Sequence, residues 1–180
     1  MNGDILLRAE GIDKSFFGTP VLKNVNLEIK RGEVHALMGE NGAGKSTLIK
    51  ILTGVYPKDA GIVYYNRREV GASFSRHDAR ELGMAVIYQE LSLIPTLTVT
   101  QNILLGQEIA DFGVLDEQAM RKKVVDLMNC YGFSINPDAV VETLSIAQRQ
   151  MIEILKALAY ESSLIIMDEP TASLSSKEAE

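Results

Sequence analysis

The chain has 180 residues, 46% of them hydrophobic and 23% charged, with 24 acidic against 18 basic side chains and a net charge of −6. That composition is globular rather than disordered, large enough for one domain or for one core with a small subdomain, and too acidic to give any bulk reason to expect nucleic acid as a partner. A single cysteine excludes an internal disulfide and argues against a cysteine-based metal site, and no window approaches the ~18 uninterrupted apolar residues of a membrane span.

The N-terminus, "MNGDILLRAEG", lacks the basic start and long apolar run of a signal peptide, so any membrane role needs another chain to supply the membrane part. The first 30 residues read as strands. In "NVNLEIKRGE", Val25, Leu27 and Ile29 alternate with polar residues before a turn at Arg31 and Gly32. "VHALM", residues 34–38, is a short apolar run that suits a buried strand. In "STLIKILTG", Leu48, Ile51 and Leu52 fall at helical spacing, and Gly54 stands as the C-terminal stop. "GIVYYN", "MAVIYQ" and "SSLIIMDE" read as three further strands.

Between Gln89 and Leu144 the pattern turns helical, with no convincing strand. "DEQAMRKKVVDLMNCYGF" sets Met120, Val124, Leu127, Met128 and Tyr131 on one face, with Asp116 as the N-cap and Cys130 expected to pack as a small apolar residue. Strand, loop, helix and later buried strands predict an α/β fold: a mainly parallel sheet flanked by helices, with an N-terminal antiparallel portion and an inserted helical subdomain. The expected division is a core of 1–89 and 145–180 with an insert of 90–144.

"MGENGAGKST", residues 38–47, fits G-x-x-x-x-G-K-[ST] through Gly39, Gly44, Lys45 and Ser46. Glycines let the backbone wrap so that N–H groups point at phosphate oxygens, and the following helix aims its positive end at the same place. Lys45 is expected to reach the β- and γ-phosphates and the Ser46 hydroxyl to hold Mg²⁺. Gly39, Glu40, Asn41, Gly42, Ala43, Gly44, Lys45, Ser46 and Thr47 are together the candidate nucleotide-binding stretch. Such a loop needs a carboxylate on a neighbouring strand, and "LIIMDEP" offers Asp168 as the Mg²⁺ partner and Glu169 to polarise the attacking water.

The landmarks run in the order phosphate loop, "IYQE" with Gln89, helical insert, "LSIAQ" at 144–148, and "LIIMDEPTASL". In that order the chain resembles the nucleotide-binding subunit of an ABC transporter, and its wording resembles the first of two tandem ATPase halves of the simple-sugar importers for ribose, galactose, xylose or arabinose. The resemblance implies an ATPase using ATP and Mg²⁺. Phe16 would stack on adenine, with a strand-core role as its alternative. Gln89 would touch the metal and the water. Leu144, Ser145 and Gln148 would form the signature that meets the ATP of an opposing domain.

The implied partners are a second ATPase half or subunit in a head-to-tail dimer, permease subunits, and indirectly a periplasmic or extracellular sugar-binding protein. The implied place is the cytoplasmic face of the membrane, with the isolated fragment soluble. Leu91, Leu93, Ile94 and Pro95 would either receive a permease helix or pack within the insert. A soluble ABC-type ATPase outside transport, and a nucleotide-binding fragment without significant hydrolysis, are the competing readings.

Three departures qualify the resemblance. The usual Leu-Ser-Gly-Gly-Gln carries Ile146 and Ala147 in place of both glycines, and Ser175 stands where many members have aspartate. The sequence also ends before the histidine that the family places on a further strand, and His35 and His77 read as structural or surface residues. An N-terminal fragment that binds Mg·ATP and hydrolyses it slowly is therefore expected.

Overall fold

The computed structural model describes residues 4–88 and 91–168, so Gln89, Glu169 and Ser175 lie outside the described residues. The chain divides after Met84 into two compact units, residues 1–84 and 85–180.

In the first unit, β1 (Ile5–Phe16) and β2 (Thr19–Lys30) form a long antiparallel hairpin. β3 (Ala60–Tyr65) pairs with the other edge of β1, and β4 (Arg68–Glu69) closes the sheet in the order β2-β1-β3-β4. The β3–β4 turn runs through Asn66 and Arg67, both at positive φ, the twist that two-residue hairpins favour. "GIVYY" is thus a strand as expected, but it belongs to the antiparallel portion. Helix α1 (Lys45–Leu52) ends as its sequence predicts: Gly54 has φ 70, its N–H donates to Ile51, and Val55 N–H donates to Lys50, a Schellman stop. A short helix, α2 (Arg76–Glu81), starts on a Ser75–Asp78 capping box.

"VHALM" is the clearest departure. Residues 33–40 carry no strand, no described strand pairs with them, and Val34 is fully exposed. Local bonds of Glu33 turn the chain there instead. Its carboxyl accepts from Lys30 N–H at 3.1 Å and meets His35 Nδ1 at 2.6 Å, while its own N–H donates to Lys30 O. Hydrogen bonding to His35 first, and to Lys30 second, holds that carboxyl below the usual glutamate range.

β5 (Met84–Ile87), which begins at the last residue of the first unit, runs into the second and pairs with β8 (Leu164–Met167). Helix α3 (Val99–Ile103) starts on a Thr98–Gln101 capping box, and α4 (Glu117–Tyr131) on Asp116, whose carboxyl accepts from Ala119 N–H. A 3₁₀ turn (Val141–Thr143) precedes α5 (Ile146–Ala159). Val99, Ile103, Leu104, Val124, Ile152 and Leu155 are completely buried in one cluster. Each contributes about 1.5–3 kcal/mol by leaving water.

Three expectations for this unit are corrected. A small hairpin, β6 (Ala110–Asp111) with β7 (Val114–Leu115), interrupts the helices, because Phe112 and Gly113 both take positive φ and make a two-residue turn. Met120, Val124 and Met128 are buried on α4 as predicted, but Tyr131 is half exposed where the helix gives way to the left-handed Gly132. Cys130 is exposed rather than packed; it lies one and four residues beyond Asn129 and Asp126 on the helix side away from Val124 and Met128. His77 is on the surface, as read from the sequence.

Candidate functional site

The glycine loop is shaped by two left-handed residues. Gly42 has φ 83 and Gly44 has φ 89, both in the region that L side chains rarely adopt. Gly44 is constrained twice, since a Cβ there would lie 2.7 Å from Leu22 Cδ2 and 3.2 Å from Val21 O. Strand β2 therefore approaches the loop too closely for any larger residue. A Cβ on Gly42 would meet nothing within 4 Å, so only its backbone needs glycine. Ala43 N–H donates to Glu40 O at 3.1 Å, folding Glu40, Asn41 and Gly42 into a tight exposed turn.

Gly44 is also the N-cap of α1, and glycine brings no side chain to accept from the first-turn N–H groups. Of the five α-helices among the described residues, α1 alone starts without a capping side chain; Ser75, Thr98, Asp116 and Ser145 serve the others. No acidic residue lies in its first turn. The partial positive charge of the helix end therefore meets no counter-charge from α1 itself. Lys45 adds a full positive charge, with Nζ held by Gly39 O at 2.7 Å and Glu40 O at 2.9 Å. The ammonium thus lies over the loop, and the donors and cation together suit a polyphosphate. Ser46 is exposed and Thr47 half-buried on the same turn.

Phe16 ends β1, half-buried. Its ring meets Tyr56 edge-on, with centroids 5.4 Å apart and planes at 71°, and Lys14 Nζ stands 5.4 Å from its centroid. Lys14 is buried and bonded to Asp59 at 2.7 Å, and Asp59 also accepts from Ser15 N–H at 2.6 Å. The Lys14 ammonium first, and the Ser15 N–H second, hold the Asp59 carboxyl below the usual aspartate range. The neighbouring Phe17 is fully exposed at φ 51 in the β1–β2 turn. Of the two, Phe16 is the one held in a fixed aromatic setting.

In the second unit, Asp168 follows β8 directly, and its N–H donates to Ile87 O at 2.9 Å. That bond sets the place of Asp168 on the strand end. Ser145 and Gln148 form a reciprocal capping box: Ser145 Oγ accepts from Gln148 N–H at 3.3 Å, and Gln148 Oε1 accepts from Ser145 N–H at 3.0 Å. Leu144 packs against the helical core. Where the usual signature has glycines, Ile146 projects half exposed while the methyl of Ala147 is buried. Any obstruction by side chains is therefore confined to Ile146.

Sequence reasoning missed the residues that brace this helix start and the segment before α3. Arg149 donates from Nε to Val141 O at 3.1 Å and from Nη2 to Glu142 O at 2.8 Å, tying the 3₁₀ turn to α5. Asn102 is completely buried; it accepts from Ile94 N–H and donates to the carbonyls of Ile94, Leu97 and Thr98. Glu153 is a third, also buried. Ser145 and Gln148 were singled out in the sequence as part of the signature, not as a cap. Among the described residues no helix is long and apolar enough to cross a membrane, and no three His, Cys, Asp or Glu side chains cluster as a metal site.

The ABC transporter family model matches residues 22–172. The chain is 48% identical over 179 residues to a ribose import ATP-binding protein, RbsA 1, of Streptomyces avermitilis, covering 99% of this chain and 34% of that protein. It is 49% identical over 176 residues to an arabinose import ATP-binding protein, AraG 2, of Burkholderia ambifaria, covering 98% and 34%. With the galactofuranose transporter ATP-binding protein YtfR of Escherichia coli it shares 42% over 175 residues, covering 97% and 35%. The chain thus spans about a third of the length of the curated relatives it matches.

Among solved structures it is similar to a nucleotide-free ATP-binding cassette from an ABC transporter, at TM-score 0.84 and 26% identity, over 97% of this chain and 73% of that one. The ADP conformation of MJ1267, also an ATP-binding cassette, gives TM-score 0.84 and 27% identity over 97% and 72%. The fold is that of the P-loop ATP-binding cassette, with its N-terminal antiparallel sheet and helices.

Proposed function

We propose, because this chain belongs to the ABC transporter family, that it binds Mg·ATP on the loop 39–47 and is part of an ATPase that energises uptake of a simple sugar. The single observation that carries the nucleotide reading is the start of α1: a left-handed glycine without a capping side chain, with Lys45 laid over the loop. The sugar reading draws on relatives whose names specify import of ribose and arabinose and transport of galactofuranose.

In this reading the α1 N-terminus and the loop N–H groups hold the phosphates, and Lys45 exchanges its loop carbonyls for β- and γ-phosphate oxygens. Ser46 of the first unit and Asp168 of the second would each offer an oxygen to Mg²⁺, which would supply charge neutralisation for phosphoryl transfer. Gln89 and Glu169 orient and polarise the attacking water. Phe16, steadied by Tyr56 and Lys14, offers a ring to adenine.

Ser145, with Leu144 and Gln148 around it, faces the ATP of a second cassette in a head-to-tail pair. Permease subunits are the membrane partners, and the chain works at the cytoplasmic face. Residues 90–144 act as the helical insert between the core segments 1–89 and 145–180. Calorimetric titration with Mg·ATP tests the binding step. Lys45→Ala is expected to weaken affinity about 10- to 100-fold, the worth of one charge-assisted hydrogen bond. Equal affinity in the two proteins would remove the loop from the site.

A further inference from the structure

Glu153 lies two turns into α5 and is 7% exposed, on a helix whose other buried side chains are all apolar. A buried carboxyl is costly unless bonded. Here one oxygen, Oε1, accepts both from the backbone N–H of Ser92 at 2.5 Å and from its hydroxyl at 2.9 Å. Lys156, one turn on, reaches the Ser92 carbonyl at 3.5 Å. The same segment is gripped two residues later by the buried Asn102 at Ile94. Residues 95–98 are tied by backbone, with Glu142 N–H donating to Pro95 O, Val141 N–H to Leu97 O and a bridge between Thr98 and Val140. Residues 91–94 carry no regular secondary structure, so there these side chains supply the fixed bonds. Leu93 alone of the apolar side chains here packs on the helical core, and Ile94 and Pro95 stay exposed.

We propose that Glu153 is a positioning residue: it fastens the segment 91–94 to α5, so that a displacement of the segment is delivered to the helix start at Ser145. The eight residue steps from Ser145 to Glu153 span ~12 Å of continuous helix, stiff enough to carry a shift without bending. The Ser145–Gln148 box and the Arg149 bonds make that end rigid as well. The use of such a link rests on the reading above, in which the segment meets a membrane partner and Ser145 meets a second ATP. The link itself depends only on the bonds.

The test uses the full chain, with amide hydrogen exchange and backbone resonances followed by NMR. Glu153→Gln keeps the accepting oxygen and is expected to leave Ser92 amide exchange within about twofold of wild type. Glu153→Leu removes the acceptor and is expected to speed Ser92 exchange on the order of tenfold or more, while Val124 in the α4 core keeps its protection. A purely structural role would not move the second readout. Leu91→Ala is expected to shift the Gln148 amide resonance in the wild-type and Glu153→Gln backgrounds and to leave it in place with Glu153→Leu. Unchanged Ser92 exchange in the leucine variant overturns the link, and so does a Gln148 shift that persists there. Neither readout needs nucleotide, so failure of wild type to bind Mg·ATP in the same samples counts against the proposed function alone.

Discussion

Helix α1 begins at a left-handed glycine with no side chain to cap it, whereas α5 begins at Ser145, locked to Gln148 by two reciprocal bonds. Both helices carry the same partial positive charge at this end. In α5 the N-cap side chain bonds the first turn, and in α1 no N-cap side chain does, with Lys45 beside that end. A side-chain cap is worth only a few tenths of a kcal/mol over glycine at this position, so α1 forgoes little stability by lacking one. In the proposed function the difference separates a helix start that receives an anion from one that holds its shape while presenting a surface.

The largest effect expected from breaking this contrast is at Gly44. Gly44→Val forces a β-branched side chain into φ 89 and against Leu22 and the Val21 carbonyl. Backbone strain alone costs about 1–3 kcal/mol, and packing overlap adds to it. Denaturant unfolding should show the loss, and Mg·ATP titration should show no binding. A valine variant that is stable and binds normally would mean that the left-handed glycine is incidental.

Ser145→Ala works in the other direction. Removing the cap should lower stability by about 1 kcal/mol, read as a shifted unfolding midpoint. The affinity of a single chain for Mg·ATP should stay within error of wild type, because Ser145 caps its own helix. A large loss of affinity in the isolated chain would erase the contrast with α1.

The smallest effect concerns the internally capped α2. The Ser75 hydroxyl first, and the Ser75 N–H second, hold the Asp78 carboxyl below its usual 3.8. A depressed carboxyl stabilises the fold above the unfolded value and loses that contribution as pH falls through the folded one. Melting temperatures taken from pH 6 down to pH 3 should therefore fall less steeply for Asp78→Asn than for wild type. The difference should be confined to the region below about pH 4. Parallel curves would show that the box carries no acid-sensitive stability.

Much of the fold was legible because local chemistry and tertiary packing agree. The period of Leu48, Ile51 and Leu52 and the stop at Gly54 gave α1, and Asp116 gave the start of α4. "VHALM" was misread because its apolar run says nothing of the Glu33 side chain, which turns the chain just before it. The 110–115 hairpin went unseen because its turn is Phe-Gly rather than the usual Asn-Gly.

In the candidate site, the residues that touch ligand in the proposed function stand in contiguous patterns, and those that brace them do not. Glu153 and Asn102 read as polar positions on amphipathic helices, which usually face water. Their partners are backbone groups, 61 residues away at Ser92 and eight away at Ile94, and no spacing rule reaches them.

The most direct test of the contrast is an Mg·ATP titration of the uniformly ¹⁵N-labelled chain, kept dilute enough to stay monomeric. The amide resonances of Gly42, Gly44, Lys45, Ser46 and Thr47 should move together and saturate, while those of Ile146, Ala147 and Gln148 hold still. Movement at the start of α5 with none in the glycine loop would contradict the assignment of α1 as the helix end that receives phosphate.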